Sequence, residues 1–130
     1  MSDLVRDGAS ATPTIESLLA AWIAAFNSRD LDAHMSLYRE DALLFGSVDQ
    51  LQIGRDAIRA YFSRRPPGVH VADYPMPTVL ALDADHAVTA GHVEFANGDA
   101  PMPYRVTWML VRRGGDWRIA QHHGSPRLGL

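Results

Sequence analysis

The chain has 130 residues, a formal net charge of −3 and no cysteine. That length suits one domain with room for a real core. The slightly acidic balance gives no electrostatic reason to expect nucleic acid as a partner. Absence of cysteine excludes disulfides, thiolate catalysis and Cys-ligated zinc. A hydrophobic content of 47% against 21% charged residues is that of an ordered globular protein. No apolar run is long enough to span a bilayer, and the first twelve residues lack the apolar centre of a signal peptide. A cytoplasmic protein with no membrane partner is therefore expected.

Residues 1–11 are small and polar and read as a disordered leader, leaving 12–130 as the single domain. Thr12, Pro13 and Glu16 predict a helix start: a hydroxyl cap, a proline in the first turn and an early acid. Ile15, Leu18, Leu19, Trp22, Ile23 and Phe26 then recur at helical spacing on one face. Asn27-Ser28-Arg29 interrupts this pattern, and Asp30 can cap a second short helix with Leu31, His34, Met35 and Tyr38 near one side. Glu40-Asp41 reads as a turn, Ala42–Phe45 as a strand, and Leu51–Ile53 as another. A third helix opens at Gly54-Arg55-Asp56, bears Ala57, Ile58, Tyr61 and Phe62, and ends at Pro66-Pro67-Gly68. Val69 to Leu82 is extended but broken by Pro75 and Pro77, as suits an edge or bulged strand. His86 to Ala96 is a strand, and Asn97-Gly98-Asp99 is a hairpin signal.

Tyr104 to Ser125 closes the chain as a long hairpin around Gly114-Gly115. Tyr104, Val106, Trp108 and Leu110 share one face of its first strand; Arg105, Thr107, Met109 and Val111 share the other. Neither strand has one purely apolar and one purely charged face, so both sides of the sheet are expected to be covered. Three helices followed by a run of strands indicate an α+β fold with helices on one face of an antiparallel sheet.

Four segments, taken in order, resemble the nuclear transport factor 2-like superfamily, which includes SnoaL-like cyclases and ketosteroid isomerase. They are Asn27-Ser28-Arg29-Asp30-Leu31-Asp32, Tyr38-Arg39-Glu40-Asp41-Ala42, Gly54 to Phe62, and Trp117 to Ser125. The closing Trp-x-Ile-x-x-His-His-x-Ser resembles the branch related to the calcium/calmodulin-dependent kinase association domain. Tyr61-Phe62 before Pro67-Gly68, and Arg105-x-Thr107, are similar to bacterial members of that branch. The resemblance implies a cone-shaped, curved antiparallel sheet packed on three N-terminal helices, with a pocket between the concave face and the helices. It also implies a homodimer through the outer sheet face, where Arg105 would lie.

By analogy with the isomerase layout, Ala90, His92 and Glu94 would point inward, with Val106, Trp108 and Leu110 on the next strand and Ala120 and His122 on the last. Trp22 falls where the isomerase has its catalytic tyrosine, and Gly46 near its general base, so the isomerase's own chemistry does not carry over. The acid–base candidates are His92, Glu94 and His122. Two residues apart on one strand, His92 and Glu94 share a face, and a carboxylate beside a histidine makes a serviceable base. The same three would be an acceptable metal set if they converged, but their spacing is not diagnostic and no metal or cofactor is expected. His122 and His123 are adjacent and face opposite ways, which leaves His123 for a strand end or subunit interface. Trp22, Tyr61, Tyr104, Val106 and Trp108 are the candidate ligand-binding wall, while Trp117 reads as a packing anchor. Arg64 and Arg65 read as solvated cations at a helix C-terminus.

Three functions fit: a cofactor-free isomerase, lyase or cyclase working by general acid–base catalysis on a small organic molecule; a non-catalytic small-ligand-binding protein; or an oligomerisation module. No dinucleotide fingerprint supports an oxidoreductase.

Overall fold

The computed structural model describes residues 3–128, and their side chains from residue 14 onward. The first helix, α1 (Asp3–Ser28), buries Ile15, Leu18, Leu19, Trp22 and Phe26 as one stripe, as their spacing predicts. It begins upstream of Thr12, so Thr12 and Pro13 lie inside the helix and do not start it. Ala9 and Ala11, both good helix formers, carry the helix back past the proline. Met1 and Ser2 of the expected leader lie outside the described residues. Arg29 ends the helix with a left-handed φ of 61°, and the Asp30 N–H closes the turn on the Ala25 carbonyl at 3.1 Å. Asp30 then caps α2 (Leu31–Met35), its carboxylate accepting the Ala33 N–H at 3.0 Å.

Strand β1 (Tyr38–Phe45) is twice as long as expected. Tyr38 belongs to it and not to the second helix, and Glu40-Asp41, read as a turn, sits in an irregular stretch of it between Tyr38 and Leu43. Next come β2 (Gln52–Ile53), α3 (Arg55–Ser63), β3 (Val69–Asp73), β4 (Thr78–Asp83), β5 (His86–Asn97), β6 (Ala100–Arg113) and β7 (Asp116–Pro126). The seven strands form one sheet in the order β2-β1-β7-β6-β5-β3, and β4 also pairs with β5. Thus β3 and β4 share one edge of β5: β3 covers its end and β4 its beginning. Pro75 and Pro77 make the break between them, since neither can donate to a ladder. The β6–β7 turn is a two-residue loop in which Gly114 and Gly115 both take positive φ, 59° and 85°, the signature of a type I′ hairpin.

The fold is α+β, as expected, with three helices packed on one face of the curved sheet. The sheet is not wholly antiparallel, because β1 runs parallel to β7. A parallel neighbour needs a long crossover, and everything between β2 and β6 supplies it. The concave face holds the core, with Trp22, Tyr38, Ile58, Trp108, Leu110 and Ile119 fully buried.

Registers decide which residues look inward. On β6 the expected set is right: Val106, Trp108 and Leu110 are buried. On β5 it is displaced by one residue. Thr89 pairs with Trp108, whereas Ala90 pairs with Thr107 and His92 with Arg105. Ala90, His92 and Glu94 therefore lie on the convex side with Arg105, and Ala87, Thr89 and Val93 fill the inside. On β7 the register shifts opposite Met109 and Leu110, which pair with Gln121 and Ile119 and leave Ala120 as the extra residue. Trp117 and Ile119 precede this bulge on the inner face; His122 follows it on the same face. The inward aspect expected of Ala120 is lost to the bulge.

Outside the core, the Asn27 side chain lies along the free edge of β3. Its amide donates to the Val71 carbonyl at 3.1 Å, and its carbonyl accepts the Val71 N–H at 2.8 Å.

Candidate functional site

Between the helices and the concave face lies a cavity of about 500 Å³. Its floor is aromatic and apolar, from Trp22 and Phe26 of α1, Phe62 of α3, Phe95 of β5 and Val106 of β6. His122 and Gly124 of β7 line one side; Ser47, Gln50 and Gln52 of the β1–β2 segment and Arg64, Arg65 and Pro66 after α3 line the mouth. No Asp or Glu is among the lining residues.

His122 is 6% exposed and is held by a buried hydrogen-bond chain. Trp22 Nε1–H donates to Tyr38 Oη at 3.0 Å. Tyr38 Oη lies 2.8 Å from His122 Nδ1, and Trp108 Nε1–H also points at that nitrogen, at 3.1 Å. An indole nitrogen only donates. Trp108 thus requires a lone pair on Nδ1, which makes Tyr38 the second donor and puts the imidazole proton on Nε2. Nε2 is on the cavity side, 3.5 Å from where a Cβ on Gly124 would sit. Burial, with His34 and His123 adding to it, holds the His122 pKa down to about 3, so the ring is neutral. Burial also pushes the Tyr38 hydroxyl above its ordinary range, so it keeps its proton. The site therefore presents one neutral N–H donor in an apolar cavity. Base action at Nε2 would need the proton on Nδ1, facing two donors. Acid action would leave either an imidazolate or a buried tyrosinate. What remains is hydrogen bonding to, and polarising, a ligand oxygen.

The mouth is organised by two tyrosines. Tyr61 Oη accepts the Ser47 N–H at 2.8 Å, and Tyr104 Oη hydrogen-bonds Ser47 Oγ at 2.7 Å. Gly46 makes room for this: a Cβ there would lie 2.1 Å from Tyr61 Oη.

Of the expected ligand wall, Trp22, Tyr61, Tyr104 and Val106 line the cavity. Trp108 shares their side of the sheet, its ring centroid 5.7 Å from that of Trp22, but lies beneath His122 rather than on the cavity surface. The indole of Trp22 is spent on Tyr38 and is not free for a ligand oxyanion. The expected acid–base cluster does not assemble. His122 faces the cavity, whereas His92 is on the convex side beside Arg105, in a groove with Pro75, Met76 and Pro77. Glu94, on that same side, pairs with Arg127. For the same reason the three cannot ligate one metal, and among the described residues no three His, Asp or Glu side chains converge. Among the described residues no helix is long and apolar enough to cross a membrane.

Two residues of the site were not read from the sequence. Tyr38, quoted only as part of a segment and placed on a helix, is the hydroxyl that fixes His122. His34 is 1% exposed among the rings of Trp22, Phe26, Tyr38 and Phe62, and neither of its nitrogens has a partner among the described residues. Burial, with the Arg65 charge adding to it, lowers its pKa to about 3. Its i to i+4 relation to Asp30 on a short capped helix gave no chemical signal.

The SnoaL-like domain family matches residues 15–129. The chain belongs to that family. No curated protein matches it significantly in sequence. Among solved structures, this SnoaL-like chain is similar to a ketosteroid isomerase-like protein from Erwinia carotovora, with 23% identity over 90% of this chain and 96% of the other and a TM-score of 0.77. A nuclear transport factor 2-like protein of unknown function from Pseudomonas putida is 22% identical, with coverages of 94% and 90% and a TM-score of 0.81. A candidate calcium/calmodulin-dependent protein kinase II association domain from Xanthomonas campestris is 26% identical, with coverages of 89% and 87% and a TM-score of 0.74. The SnoaL-like fold makes the chain a member of a family of small-molecule pocket proteins.

Proposed function

We propose that the protein binds a small, flat, largely apolar organic molecule in its cavity, with the His122 Nε2–H as the polar contact that orients it. The observation that carries this is the donor chain Trp22–Tyr38–His122–Trp108, which commits a neutral imidazole N–H to an apolar cavity. Such a site matches the general pattern of small-molecule pockets, apolar walls with few convergent polar groups. Binding without catalysis is the favoured reading, because no lining carboxylate or free base is set to take a proton from carbon. A cofactor-free isomerase, lyase or cyclase is the second reading. It draws on the same N–H, which would stabilise charge developing on a substrate carbonyl.

The test is protein-observed NMR titration with a panel of flat aromatic ketones and amides, following the His122 Nε2–H resonance. Saturable binding that shifts this resonance is expected. Gly124→Ala should weaken it, since the added methyl sits beside Nε2, 3.5 Å away, in ordinary contact that costs the fold little. No saturable binding by the wild type would overturn the proposal.

Assembly as a homodimer through the convex face belongs to the same proposal. That face carries Met109 beside Gln121, and Leu43, Phe45 and Ile53 in an adjoining exposed apolar strip, Ile53 being 69% exposed. Contiguous exposed apolar area of this kind marks an interaction site. The kinase association domain named for the Xanthomonas neighbour is an assembly module by its name, and a second copy of this chain is the occupant proposed here.

A further inference from the structure

Arg65 is a cation in the wrong surroundings. The residue follows the C-terminus of α3, where a solvated side chain was expected, yet it turns back over the cavity. Its guanidinium lies over the Phe26 ring, 3.9 Å from the centroid, and one Nη donates to the Phe26 carbonyl at the end of α1. Nε and Nη1 are buried and have no acceptor among the described residues. The charged group that acts on it is another cation, Arg29, whose own Nη2 is occupied by the carbonyls of Pro66, Pro67 and Val69. Burial and then Arg29 lower the Arg65 pKa to about 10, so the group stays charged at neutral pH. Arg64 stands beside it at the mouth. The five ion pairs among the described residues involve neither arginine. Two cations thus border a cavity whose lining contains no anion. A half-buried charge without a counter-ion is costly, and an anion arriving with the ligand would remove that cost.

We propose that the ligand is an organic carboxylate, with its carboxylate held at the Arg64–Arg65 mouth, its apolar body on Phe26, Trp22 and Phe62, and a carbonyl or ether oxygen on His122. This rests on the small-ligand reading above and narrows its chemical class. Guanidinium groups suit carboxylates because their donors form a planar fork. The Phe26 ring lies under the Arg65 guanidinium and continues into the apolar floor; with Nε and Nη1 buried, it is the edge of Arg65 at Nη2, together with Arg64, that would meet the carboxylate.

The experiment compares 2-naphthoate with 2-naphthamide, equal in shape and different in charge, by titration calorimetry at low and high ionic strength. Naphthoate should bind at least about tenfold more tightly at low salt, as a charge-assisted contact warrants. Added salt should weaken naphthoate and leave naphthamide unchanged. Arg65→Gln, alone and combined with Arg64→Gln, should bring naphthoate to the naphthamide affinity. Naphthamide binding serves as the folding control for each variant. Where Arg65→Gln does not fold, the wild-type affinity ratio and its salt dependence decide the matter. Equal affinities in the wild type overturn the carboxylate inference and leave the pocket intact. A preference that survives both substitutions overturns the assignment to these arginines. Failure of both ligands to bind overturns the pocket reading itself.

Discussion

Two buried neutral histidines make stability depend on pH in a window where exposed carboxylates are silent. His34 and His122 both have folded pKa values near 3. In the unfolded chain each would take a proton as pH falls through its ordinary value of about 6.5. Below that pH the unfolded state binds more protons than the folded one, so stability is complete above about 6.5 and declines as pH drops toward 3. The slope is about 1.4 kcal/mol per pH unit for each histidine, so both together lose about 5 kcal/mol between pH 6.5 and 4.5. A domain of ordinary stability would be close to unfolding at the lower end. The revealing perturbation is His34→Leu. Both His34 nitrogens are buried and unpartnered among the described residues, and the surrounding rings suit an apolar side chain. Removing those nitrogens should raise stability at pH 7.5 by on the order of 1–3 kcal/mol. It should also halve the acid slope, leaving the His122 share. The assay is urea unfolding followed by tryptophan fluorescence, at fixed ionic strength and protein concentration, every half unit from pH 7.5 to 4.5. A wild-type stability that is flat from pH 6.5 to 4.5, or a His34→Leu slope equal to the wild type's, would refute the reasoning.

Tyr38→Phe removes the acceptor of Trp22 and one donor to His122; it should cost about 2 kcal/mol in denaturant unfolding and shift the Trp22 indole N–H resonance. Gly46→Ala places a methyl 2.1 Å from Tyr61 Oη. Tyr61 must leave Ser47, and affinity for a flat aromatic ligand should fall by about tenfold in calorimetry, as loss of a preorganised wall implies. Met109→Glu should convert a dimer to monomers in sedimentation velocity, because an uncompensated charge in a dry interface costs several kcal/mol; a wild-type monomer would refute the convex-face interface.

The fold was legible where one face of an element is apolar and the other is not. The α1 stripe and the Asp30 cap each allow one reading; on β6 alternation left two faces open, and analogy with the isomerase chose Val106, Trp108 and Leu110 rightly. β5 carried the contrast only in its second half, where Val93 and Phe95 alternate with His92 and Glu94, since Ala87 and Thr89 are no more apolar than Val88 and Ala90; analogy with the isomerase, which turned His92 and Glu94 inward, set its face wrongly. In β7 the difficulty was a single extra residue. Regular alternation cannot put Ile119 and His122 on one face; the bulge at Ala120 does. At the site, the cavity wall was largely readable because Trp22, Tyr61, Tyr104 and Val106 are large or aromatic residues on recognisable elements. Tyr38 was not, since its role depends on a parallel pairing with a strand some eighty residues away. Arg65 was not either, because a helix-terminal arginine is ordinarily solvated and only the packing of α1 against the end of α3 turns it inward.

The amide of Asn27 has a consequence beyond the subunit. An edge strand offers its outward N–H and C=O groups to any extended peptide that passes. At Val71 both are already taken, by one side chain that imitates a peptide unit. A foreign strand cannot add at that point without first displacing Asn27, so continuous growth of the sheet from the β3 side is interrupted. Protection against fibrous self-association there comes from the end of one helix, where Asn27 holds both groups of Val71 and Arg29 holds the carbonyl of Val69.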